Sequence, residues 1–509
     1  MGVAAASTEG SKNWVTGVAG AALLVGIYGL IHSVLRLTTS GNLGENDPQI
    51  VLSIQQGFQW SYGTGEPPLF EWLALLLSEV FGPTATVFQI LRYGLLTVTL
   101  VLVYLIARRM LGSAIWALIT VEAYALVYQI SWRLHEGFTH PMVAMAAAAG
   151  LFYAWMLWRE RPGVMPAVAL FAALTVGWFS NSWFFGFFAA LAVAVLSQRS
   201  NWLHVRRPVF LVVLAASLVV ASPYWLADDA FWNAPAWRML GDLTDLADAP
   251  WTLRFEGLIA GLNRPLWFLS PLLPLLALWF GRDLWRKRAD LWFAENKRAL
   301  LLLRTLVVAA VGLIVLGFGM GFGNYSEHAV MPLFVLGPVL LMLLIRRAEP
   351  SARQVSRFLM LCLVLMIAAF AARAANLIIL DPVCSRCYFG IPFEGLADTL
   401  AEDGADLVIA EDRRLGGNLV AFLPEETDVV AIGWPDERRL EPGETALLIV
   451  QNETRLDARL AAAQARFGFE PIEPIRQVIV PWRHAFREDG YRSTLWYVVP
   501  GGYAAESGG

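Results

Sequence analysis

FQILRYGLLTVTLVLVYLIA, residues 88–107, is the clearest guide to the architecture of this chain. Arg92 is its only charged residue, and Arg108 and Arg109 follow it directly. A helix needs about 20 consecutive apolar residues to cross the hydrocarbon core of a bilayer. The segment has that length, so it predicts a membrane-spanning helix.

Similar apolar runs recur along the chain and predict about eleven spans. The predicted spans are 13–36, 88–107, 112–130, 140–158, 164–179, 182–197, 208–226, 265–281, 300–319, 328–345 and 357–379. The first run is too long for a signal peptide and lacks a small-residue cleavage site, so we take it as a span. The predicted fold class is an α-helical polytopic membrane protein.

The composition agrees with this class. The chain of 509 residues is 57% hydrophobic and 16% charged, with a mean hydropathy of +0.54. An ordinary soluble domain has about 45–50% apolar and about 25% charged residues, so these values exclude a soluble enzyme and a disordered protein. A net charge of −4 offers no basic excess for nucleic acid. Three cysteines are too few for a disulfide scaffold.

Lys and Arg residues concentrate in alternate connections between the predicted spans. They begin with Arg108 and Arg109 and continue through the basic segments 159–161, 199–207, 282–304 and 346–357. Because basic connections stay in the cytoplasm, this set predicts the cytoplasmic side of the membrane. An odd number of spans then places the N-terminus in the cytoplasm and the C-terminal part in the periplasm.

The composition changes near residue 380, which predicts two domains, 1–380 in the membrane and 381–509 outside it. Short β-rich runs appear at 406–410, 445–450 and 494–499, and a helical pattern runs from Arg455 to Phe467. Strands alternating with helices predict a small periplasmic α/β domain. Cys384 and Cys387 open it, with a local disulfide favoured over a redox motif, and Cys362 is expected to pack inside a span.

The first outer loop is long and acidic. Residues 37–90 contain no Lys or Arg but contain Glu45, Asp47, Glu66, Glu71 and Glu79. Pro67 and Pro68 precede a helical pattern over 69–81, which we expect to lie flat at the membrane surface. A loop carboxylate is usually solvated and carries no role, and we apply that interpretation to Glu71 and Glu79.

Two further polar clusters fall at outer ends of predicted spans. The first is Trp132-Arg-Leu-His-Glu-Gly-Phe-Thr-His-Pro141, and the second is Asn324-Tyr-Ser-Glu-His328. A general base must be a positioned carboxylate or histidine near the reacting proton, and ionisable groups at membrane depth are functional candidates. The three clusters therefore predict a site at one membrane face.

These motifs resemble those of clan C (GT-C) glycosyltransferases. Glu45-Asn46-Asp47 after the first span, followed by Glu66-Pro67-Pro68-Leu69, is similar to the first outer loop of the dolichyl-phosphate-mannose protein mannosyltransferase superfamily. That superfamily includes bacterial aminoarabinose transferases and rhizobial lipopolysaccharide galacturonosyltransferases. The segments 135–140 and 325–333 resemble its later motifs. The resemblance covers residues 13–380 and implies a GT-C membrane domain in a bacterial inner (plasma) membrane, with a soluble outer domain often attached.

The resemblance implies transfer of a hexosyl or pentosyl group from a polyprenyl-phosphate donor, with inversion at the anomeric carbon. The acceptor would be lipid A or lipopolysaccharide, a cell-wall glycan or a protein. Asp47 is the favoured general base, Glu45 is second, and Glu136 is a further carboxylate for orientation or proton transfer. Asn46 separates the two loop acids, so the motif leaves open which of them is the base.

The remaining site candidates are substrate-binding residues. Arg254 and Arg264, with Arg133 and Arg92 as alternatives, are expected to stabilise the departing lipid phosphate, and anchoring to lipid headgroups is an equal alternative role for any of them. His140 and His328 are candidates for phosphate, or for a divalent metal ion held with Glu66 or Glu136. Tyr62 and Tyr325 are expected to contact the sugar, and His135 and Glu327 complete the clusters. An aromatic membrane belt is the expected role of Trp232, Trp237 and Trp251.

Two other functions remain open on sequence grounds. A transporter or flippase of a lipid-linked substrate would contain internal repeats and charges in mid-membrane, and neither pattern is visible. An assembly subunit without catalysis would tolerate loss of Asp47.

Overall fold

The computed structural model describes residues 14–227, 250–288, 296–321, 327–380 and 389–435, together with 438, 440, 441, 443–451, 461, 464–467, 469–482 and 491–500. These residues form a helical membrane domain followed by a small domain built on a five-stranded sheet. The predicted fold class, a polytopic helical protein with a C-terminal α/β domain, is confirmed.

The helices have the following bounds. They are α1 Val18–Thr39, α2 Asp47–Ile54, α3 Leu69–Phe81, α4 Ala85–Leu111, α5 Ala114–Ala123, α6 Leu134–Gly137, α7 His140–Glu160, α8 Val164–Trp178, α9 Trp183–Leu196, α10 Trp202–Val205, α11 Pro208–Ala227, α12 Trp251–Phe268, α13 Leu272–Arg286, α14 Lys297–Met320, α15 Glu327–Phe334, α16 Gly337–Arg347, α17 Ala352–Ala375, α18 Phe393–Ala401 and α19 Arg413–Val420.

Seven helices among the described residues are long and apolar enough to cross a membrane, and an eighth candidate is a bent pair. The seven are Val18–Thr39, Ala85–Leu111, His140–Glu160, Pro208–Ala227, Lys297–Gly319, Val330–Arg347 and Ala352–Ile379, and the pair is Trp183–Leu196 with Arg199–Val205. The predicted run 265–281 instead falls across the break between α12 and α13. Pro271 lies at that break, and proline lacks the amide hydrogen and the space that a continuing helix needs.

Helix α7 forms the centre of the membrane domain. It packs against α4, α8 and α15, and 83% of its membrane-length window is buried. Small side chains such as Ala144 and Ala148, both fully buried, let these helices approach closely. Large apolar side chains instead project from the outside of the bundle, with Leu226 83% exposed and Leu278 84% exposed. Such an outward apolar surface suits contact with lipid.

The predicted cytoplasmic charges meet at one end of the bundle. Glu160, at the end of α7, pairs with Arg298 at 2.8 Å and with Arg109 at 3.8 Å. Arg304 donates to the Ser197 hydroxyl at 2.9 Å. These contacts join α4, α7, α9 and α14 at the ends that carry the basic connections.

The C-terminal domain contains strands β1 Leu407–Ala410, β2 Asp428–Ala431, β3 Ala446–Val450, β4 Phe469–Val480 and β5 Tyr491–Pro500, in the order β2-β1-β3-β5-β4. Strand β1 is parallel to β2 and β3, whereas β5 is antiparallel to β3 and β4. The predicted strands at 406–410, 445–450 and 494–499 match β1, β3 and β5. Of the predicted helix at 455–467, residues 464–467 are helical and 452–460 lie outside the described residues.

The C-terminal domain packs against the first outer loop of the membrane domain. The amide of Asn42 donates to the carbonyl of Ile391 at 2.8 Å, and the Leu43 amide donates to Oδ1 of Asn418 at 2.8 Å. Asn418 is fully buried. Helices α2 and α19 lie in contact, so the outer loop and the C-terminal domain form one surface. The domain boundary at residue 380 remains a prediction, and Cys384 and Cys387 lie outside the described residues.

Candidate active site

Asp47, the favoured base, begins helix α2 and is buried, with 1% of its surface exposed. Its Oδ1 accepts a hydrogen bond from Nη2 of Arg92 at 2.8 Å, and its Oδ2 accepts from the same nitrogen at 3.0 Å. The Gly44 amide also donates to Oδ2 at 2.9 Å. Arg92 is itself 1% exposed, so the pair is a buried link between the outer loop and α4.

Two glycines allow the first outer loop to contact the C-terminal end of α6. A Cβ atom on Gly44 would lie 2.8 Å from the Glu136 carbonyl oxygen, and one on Gly137 would lie 2.3 Å from the Glu45 nitrogen. Gly137 also has a φ of +135°, which side-chain-bearing residues rarely adopt. The Glu45 amide donates to the Glu136 carbonyl across this contact, which fixes the two predicted motifs side by side.

Glu45, Arg133 and Glu136 form an open ionic cluster above that contact. Nη2 of Arg133 lies 3.2 Å from the Glu45 carboxylate, and Nη1 donates to Glu136. Burial raises the pKa of the Glu136 carboxyl, and the Arg133 charge opposes that rise. The structure therefore brings together three predicted site residues, but it pairs the cation with both acids.

Glu71 and His140 form a second buried pair. Nε2 of His140 lies 3.0 Å and 2.9 Å from the two carboxylate oxygens of Glu71. Glu71 is 1% exposed and His140 is 4% exposed. The other ring nitrogen of His140 lies 3.3 Å from the Thr139 hydroxyl, so both of its nitrogens have partners. The expectation of a solvated Glu71 is not met, because α3 turns this carboxylate toward α7.

Glu66 lies where the outer loop reaches the break between α8 and α9. Its Oε2 accepts from the Asn181 amide at 2.9 Å and from the Ser182 hydroxyl at 3.5 Å. The Ser182 backbone amide also donates to this carboxyl, and both side-chain hydrogen bonds reach Oε2 and leave Oε1 free of side-chain donors among the described residues. Burial raises the pKa of the Glu66 carboxyl; His140 opposes the rise, and the Glu71 carboxylate adds to it. A carboxyl with a raised pKa and one open oxygen is suited to proton transfer.

Glu66, Glu71 and His140 line one cavity of about 670 Å³ between the membrane domain and the C-terminal domain. The membrane-domain wall is completed by Gln49, Gly63 and Thr64, and the opposite wall consists of Asp412, Arg413, Ile432, Gly433, Trp434 and Pro435. The volume lies within the range of about 300–1,000 Å³ that is usual for small-molecule sites. Asp47, Glu45 and Glu136 are not among its lining residues.

His135 belongs to a separate, buried polar cluster. Its ring nitrogens lie 2.6 Å from the Tyr93 hydroxyl and 2.8 Å from the Tyr28 hydroxyl. The ring stacks on His32 with centroids 4.0 Å apart, and Arg373 donates to the His135 carbonyl at 2.9 Å. These partners hold His135 away from the cavity.

The other predicted site residues lie outside the cavity or outside the described residues. Tyr62 is 3% exposed, its hydroxyl donates to the Gly57 carbonyl at 2.9 Å, and burial raises its pKa to about 12. Arg254 and Arg264 lie on α12, where Arg254 stacks over Trp251 at 5.4 Å. Tyr325, Trp232 and Trp237 lie outside the described residues. Glu327 and His328 begin α15, but their side chains are not described.

The described residues contain no group of three or more His, Cys, Asp or Glu side chains arranged to hold a metal ion. Cys362, expected to pack within a span, is buried in α17.

The C-terminal half of the cavity wall was missed by sequence reasoning. Asp412, Arg413 and Trp434 lie more than 340 positions from Glu66 and Glu71 along the chain. Asp412 carries one local signal, since its carboxylate accepts from the amides of Arg414 and Leu415 and caps α19. That signal predicts a helix start and says nothing about a site.

The bundle of apolar helices, the acidic first outer loop and the C-terminal α/β domain define an integral membrane protein of the GT-C type. The chain is similar over 94% of its length to ArnT from Cupriavidus metallidurans bound to undecaprenyl phosphate, with a TM-score of 0.55, 13% identity and 98% of that chain covered. The apo structure of the same ArnT gives a TM-score of 0.58 with the same identity and coverage. These likenesses show the fold.

Two curated relatives come from Rhizobium johnstonii. Lipopolysaccharide core galacturonosyltransferase RgtB is 25% identical over 422 residues, which are 79% of this chain and 81% of RgtB. RgtA, of the same description, is 24% identical over 425 residues, which are 81% of this chain and 82% of RgtA. No family model matches the chain. The expected resemblance to GT-C glycosyltransferases is confirmed.

Proposed function

We propose that this protein is an inner-membrane glycosyltransferase that moves a sugar from a polyprenyl-phosphate donor to lipopolysaccharide. The observation that carries the proposal is the open Glu66 carboxylate oxygen in a polar cavity of about 670 Å³, inside a GT-C fold. The names of the two Rhizobium relatives support lipopolysaccharide as acceptor and a uronic acid as the sugar. The ArnT structure with undecaprenyl phosphate supports a polyprenyl-phosphate donor.

In the proposed reaction, Glu66 takes the proton from an acceptor hydroxyl through Oε1. The acceptor oxygen attacks the anomeric carbon, and the bond from that carbon to the lipid-phosphate oxygen breaks. The phosphate departs as an anion with the bonding electron pair, and the configuration inverts. The raised pKa of Glu66 makes its conjugate acid weaker and the carboxylate a stronger base.

Asp47 remains the second candidate for the base. Arg92 and the Gly44 amide occupy both of its oxygens, so it would have to exchange one of these contacts for the acceptor hydroxyl. Its surroundings favour a role in holding the first outer loop on α4. Glu45 and Glu136 would likewise have to leave Arg133.

We propose that Arg254 and Arg264 stabilise the negative charge of the leaving phosphate. Two carboxylates already contact Arg133, and their charge disfavours an added phosphate there. Arg92 is buried against Asp47, which removes it from the donor's path.

The proposed topology has a cytoplasmic N-terminus and a periplasmic C-terminal domain. Contact of that domain with the first outer loop supports placing both on one side of the membrane. The ionic contacts of Glu160 with Arg109 and Arg298 support a basic, cytoplasmic side at the opposite ends of α4 and α7. A flippase is the rival function, and the transferase relatives favour group transfer over transport.

Mass spectrometry of envelope glycolipids tests the proposal. A strain that lacks the protein should lose one glycosyl residue from its lipopolysaccharide, and the wild-type gene should restore it. Glu66→Gln should fail to restore it, whereas Glu79→Gln, an exposed acid on α3, should restore it fully. An unchanged glycolipid profile in the deletion strain would exclude the proposed acceptor, and full restoration by Glu66→Gln would exclude the proposed base.

A further inference from the structure

The C-terminal domain supplies half of the cavity wall through two segments. Asp412 and Arg413 begin α19, and residues 432–435 follow strand β2. In a parallel arrangement such as β1 beside β2, the carboxyl ends of the strands share one edge of the sheet. Both segments begin at that edge, so the parallel pairing of β1 and β2 brings them together in one wall of the cavity.

Contacts with the first outer loop hold this wall in position. Leu52 of α2 packs with Ala431 and Trp434 in a buried apolar cluster. The Gln56 amide donates to the Pro435 carbonyl at 3.2 Å, and a Cβ on Gly63 would lie 3.2 Å from Cβ of Pro435. These contacts join the two sides of the cavity.

Two side chains of the wall have unused hydrogen-bonding groups. Trp434 is 7% exposed, and its buried indole N–H has no partner. A buried polar group without a partner costs free energy, so a small rotation of the ring that brings this N–H to a ligand acceptor would be favourable. Arg413 is exposed and has no hydrogen-bond or ion-pair partner among the residues that the structure describes.

The charged residues of the cavity differ between its two sides. Glu66 and Glu71 lie on the membrane-domain side, where an anionic ligand group would be repelled. On the opposite wall, the carboxylate of Asp412 accepts two backbone amides at the start of α19. Among the described lining residues, Arg413 carries the one permanent positive charge, and it lies on the opposite wall. A guanidinium binds a carboxylate through two parallel hydrogen bonds.

We infer that the C-terminal domain forms part of the sugar-binding site and that Arg413, beside Trp434, binds the carboxylate of an acidic sugar. This inference rests on the proposed function and names the substrate class of the same cavity. A sugar held this way turns its carboxylate to Arg413 and its other face to Glu66. The carboxylate can belong to the transferred sugar of the donor or to a sugar of the acceptor.

Transfer kinetics with matched substrates test the inference. The full-length protein in proteoliposomes is given a polyprenyl-phosphate-linked galacturonic acid or galactose, with lipopolysaccharide that is native or has its sugar carboxyls reduced. Arg413→Gln should raise KM for the carboxylate-bearing substrate about 10- to 100-fold, the usual effect of losing a charge-assisted pair, with a smaller change in kcat. Arg414→Gln, on the adjacent position and outside the cavity lining, is the matched control.

The outcomes assign the carboxylate. If Arg413 is needed for a preference between the two donors, the carboxylate belongs to the donor sugar. If Arg413 is needed for a preference between the two acceptors, the carboxylate belongs to a sugar of the acceptor. A preference that Arg413→Gln leaves intact, or no preference in the wild type, overturns the inference.

A binding experiment separates this inference from the proposed reaction. Saturation-transfer NMR of the full-length protein with free D-galacturonate and with D-galactose requires no turnover. We expect the wild type to give a stronger signal for galacturonate than for galactose. Arg413→Gln should remove this signal, whereas Arg414→Gln and Arg413→Lys should retain at least part of it. Equal signals for the two sugars would overturn the acidic-sugar site even where transfer is observed. An Arg413-dependent signal without transfer would support the site and refute the proposed reaction.

Discussion

Gly417→Ala should separate the C-terminal domain from the first outer loop. A Cβ atom at this position would lie 2.1 Å from the Pro48 carbonyl oxygen and 2.5 Å from its carbonyl carbon. Ordinary contacts of a Cβ begin at 3.4 Å. Because both partners are backbone, α19 and α2 must move apart by about 1.3 Å, since packed interiors hold no space for the extra methyl group.

That movement shifts Arg413 and Trp434 away from Glu66 across the cavity. A misplacement of about 1 Å at a reacting site costs about 100-fold in rate, so kcat/KM should fall by about two orders of magnitude. The assay is transfer to purified lipopolysaccharide in proteoliposomes, together with hydrogen exchange of residues 47–54. Exchange there should rise because the α2–α19 contact loosens.

Gly416→Ala is the matched control for this substitution. Its Cβ would lie 3.3 Å from the Ala431 side chain and 3.4 Å from Ala410 in its own domain, and 3.5 Å from Leu52 of α2, which is an ordinary contact distance. We expect kcat/KM within about threefold of wild type, as for most substitutions that avoid a severe clash. If Gly417→Ala retained the kcat/KM and the hydrogen-exchange rates of the wild type, the contact between α2 and α19 would not be needed for activity. The role assigned to the C-terminal wall of the cavity would then be wrong.

Two further predictions concern the carboxylates. The kcat/KM of the wild type should fall as pH decreases through the pKa of Glu66, because the base acts in its ionised form. Since burial raises this pKa, the acid limb of the pH profile should lie above the ordinary glutamate pKa of about 4.3. Asn181→Ala removes a hydrogen bond to the ionised carboxylate and should move the limb to still higher pH; a pH profile with an unmoved limb would argue against Glu66. Asp47→Asn and Arg92→Gln should each lower the free energy of unfolding by about 3–5 kcal/mol, because each leaves a buried charge unpaired. The double variant should lose less than the two single losses added together in thermal unfolding, and strict additivity would show that the pair is not coupled.

The sequence predicted the membrane architecture because each span is a local property of about 20 residues. It also predicted that residues near Glu66 and His140 share one outer face, since the motif order fixes which ends of the spans meet. The break at Pro271 was missed, because the apolar composition continues across it and hides the end of α12.

Helix α3 shows why the burial of Glu71 was not predicted. The expectation of a solvated acid applies to a helix whose polar side faces water. Here Leu76 is 67% exposed and Val80 is 72% exposed, while Glu71 is buried against His140. Near a membrane, ionisable side chains turn toward the protein interior and apolar ones face outward, which reverses the soluble pattern.

The C-terminal wall of the cavity was beyond sequence reasoning for a different reason. Arg413 and Trp434 reach Glu66 through domain docking, and the contact depends on Gly417 and Asn418 fitting against α2. A glycine and an asparagine in a short helix carry no signal for a partner hundreds of residues away. The cavity exists only where the two domains meet.

A single-turnover transfer experiment tests the central claim most directly. Polyprenyl-phosphate-linked galacturonic acid is bound to the wild type, Glu66→Gln or Asp47→Asn in proteoliposomes, and product formation on lipopolysaccharide is followed after mixing. The account predicts inverted product from the wild type and a rate at least about 100-fold lower for Glu66→Gln, with donor binding retained. Wild-type rates from Glu66→Gln, with transfer abolished in a folded Asp47→Asn, would contradict it.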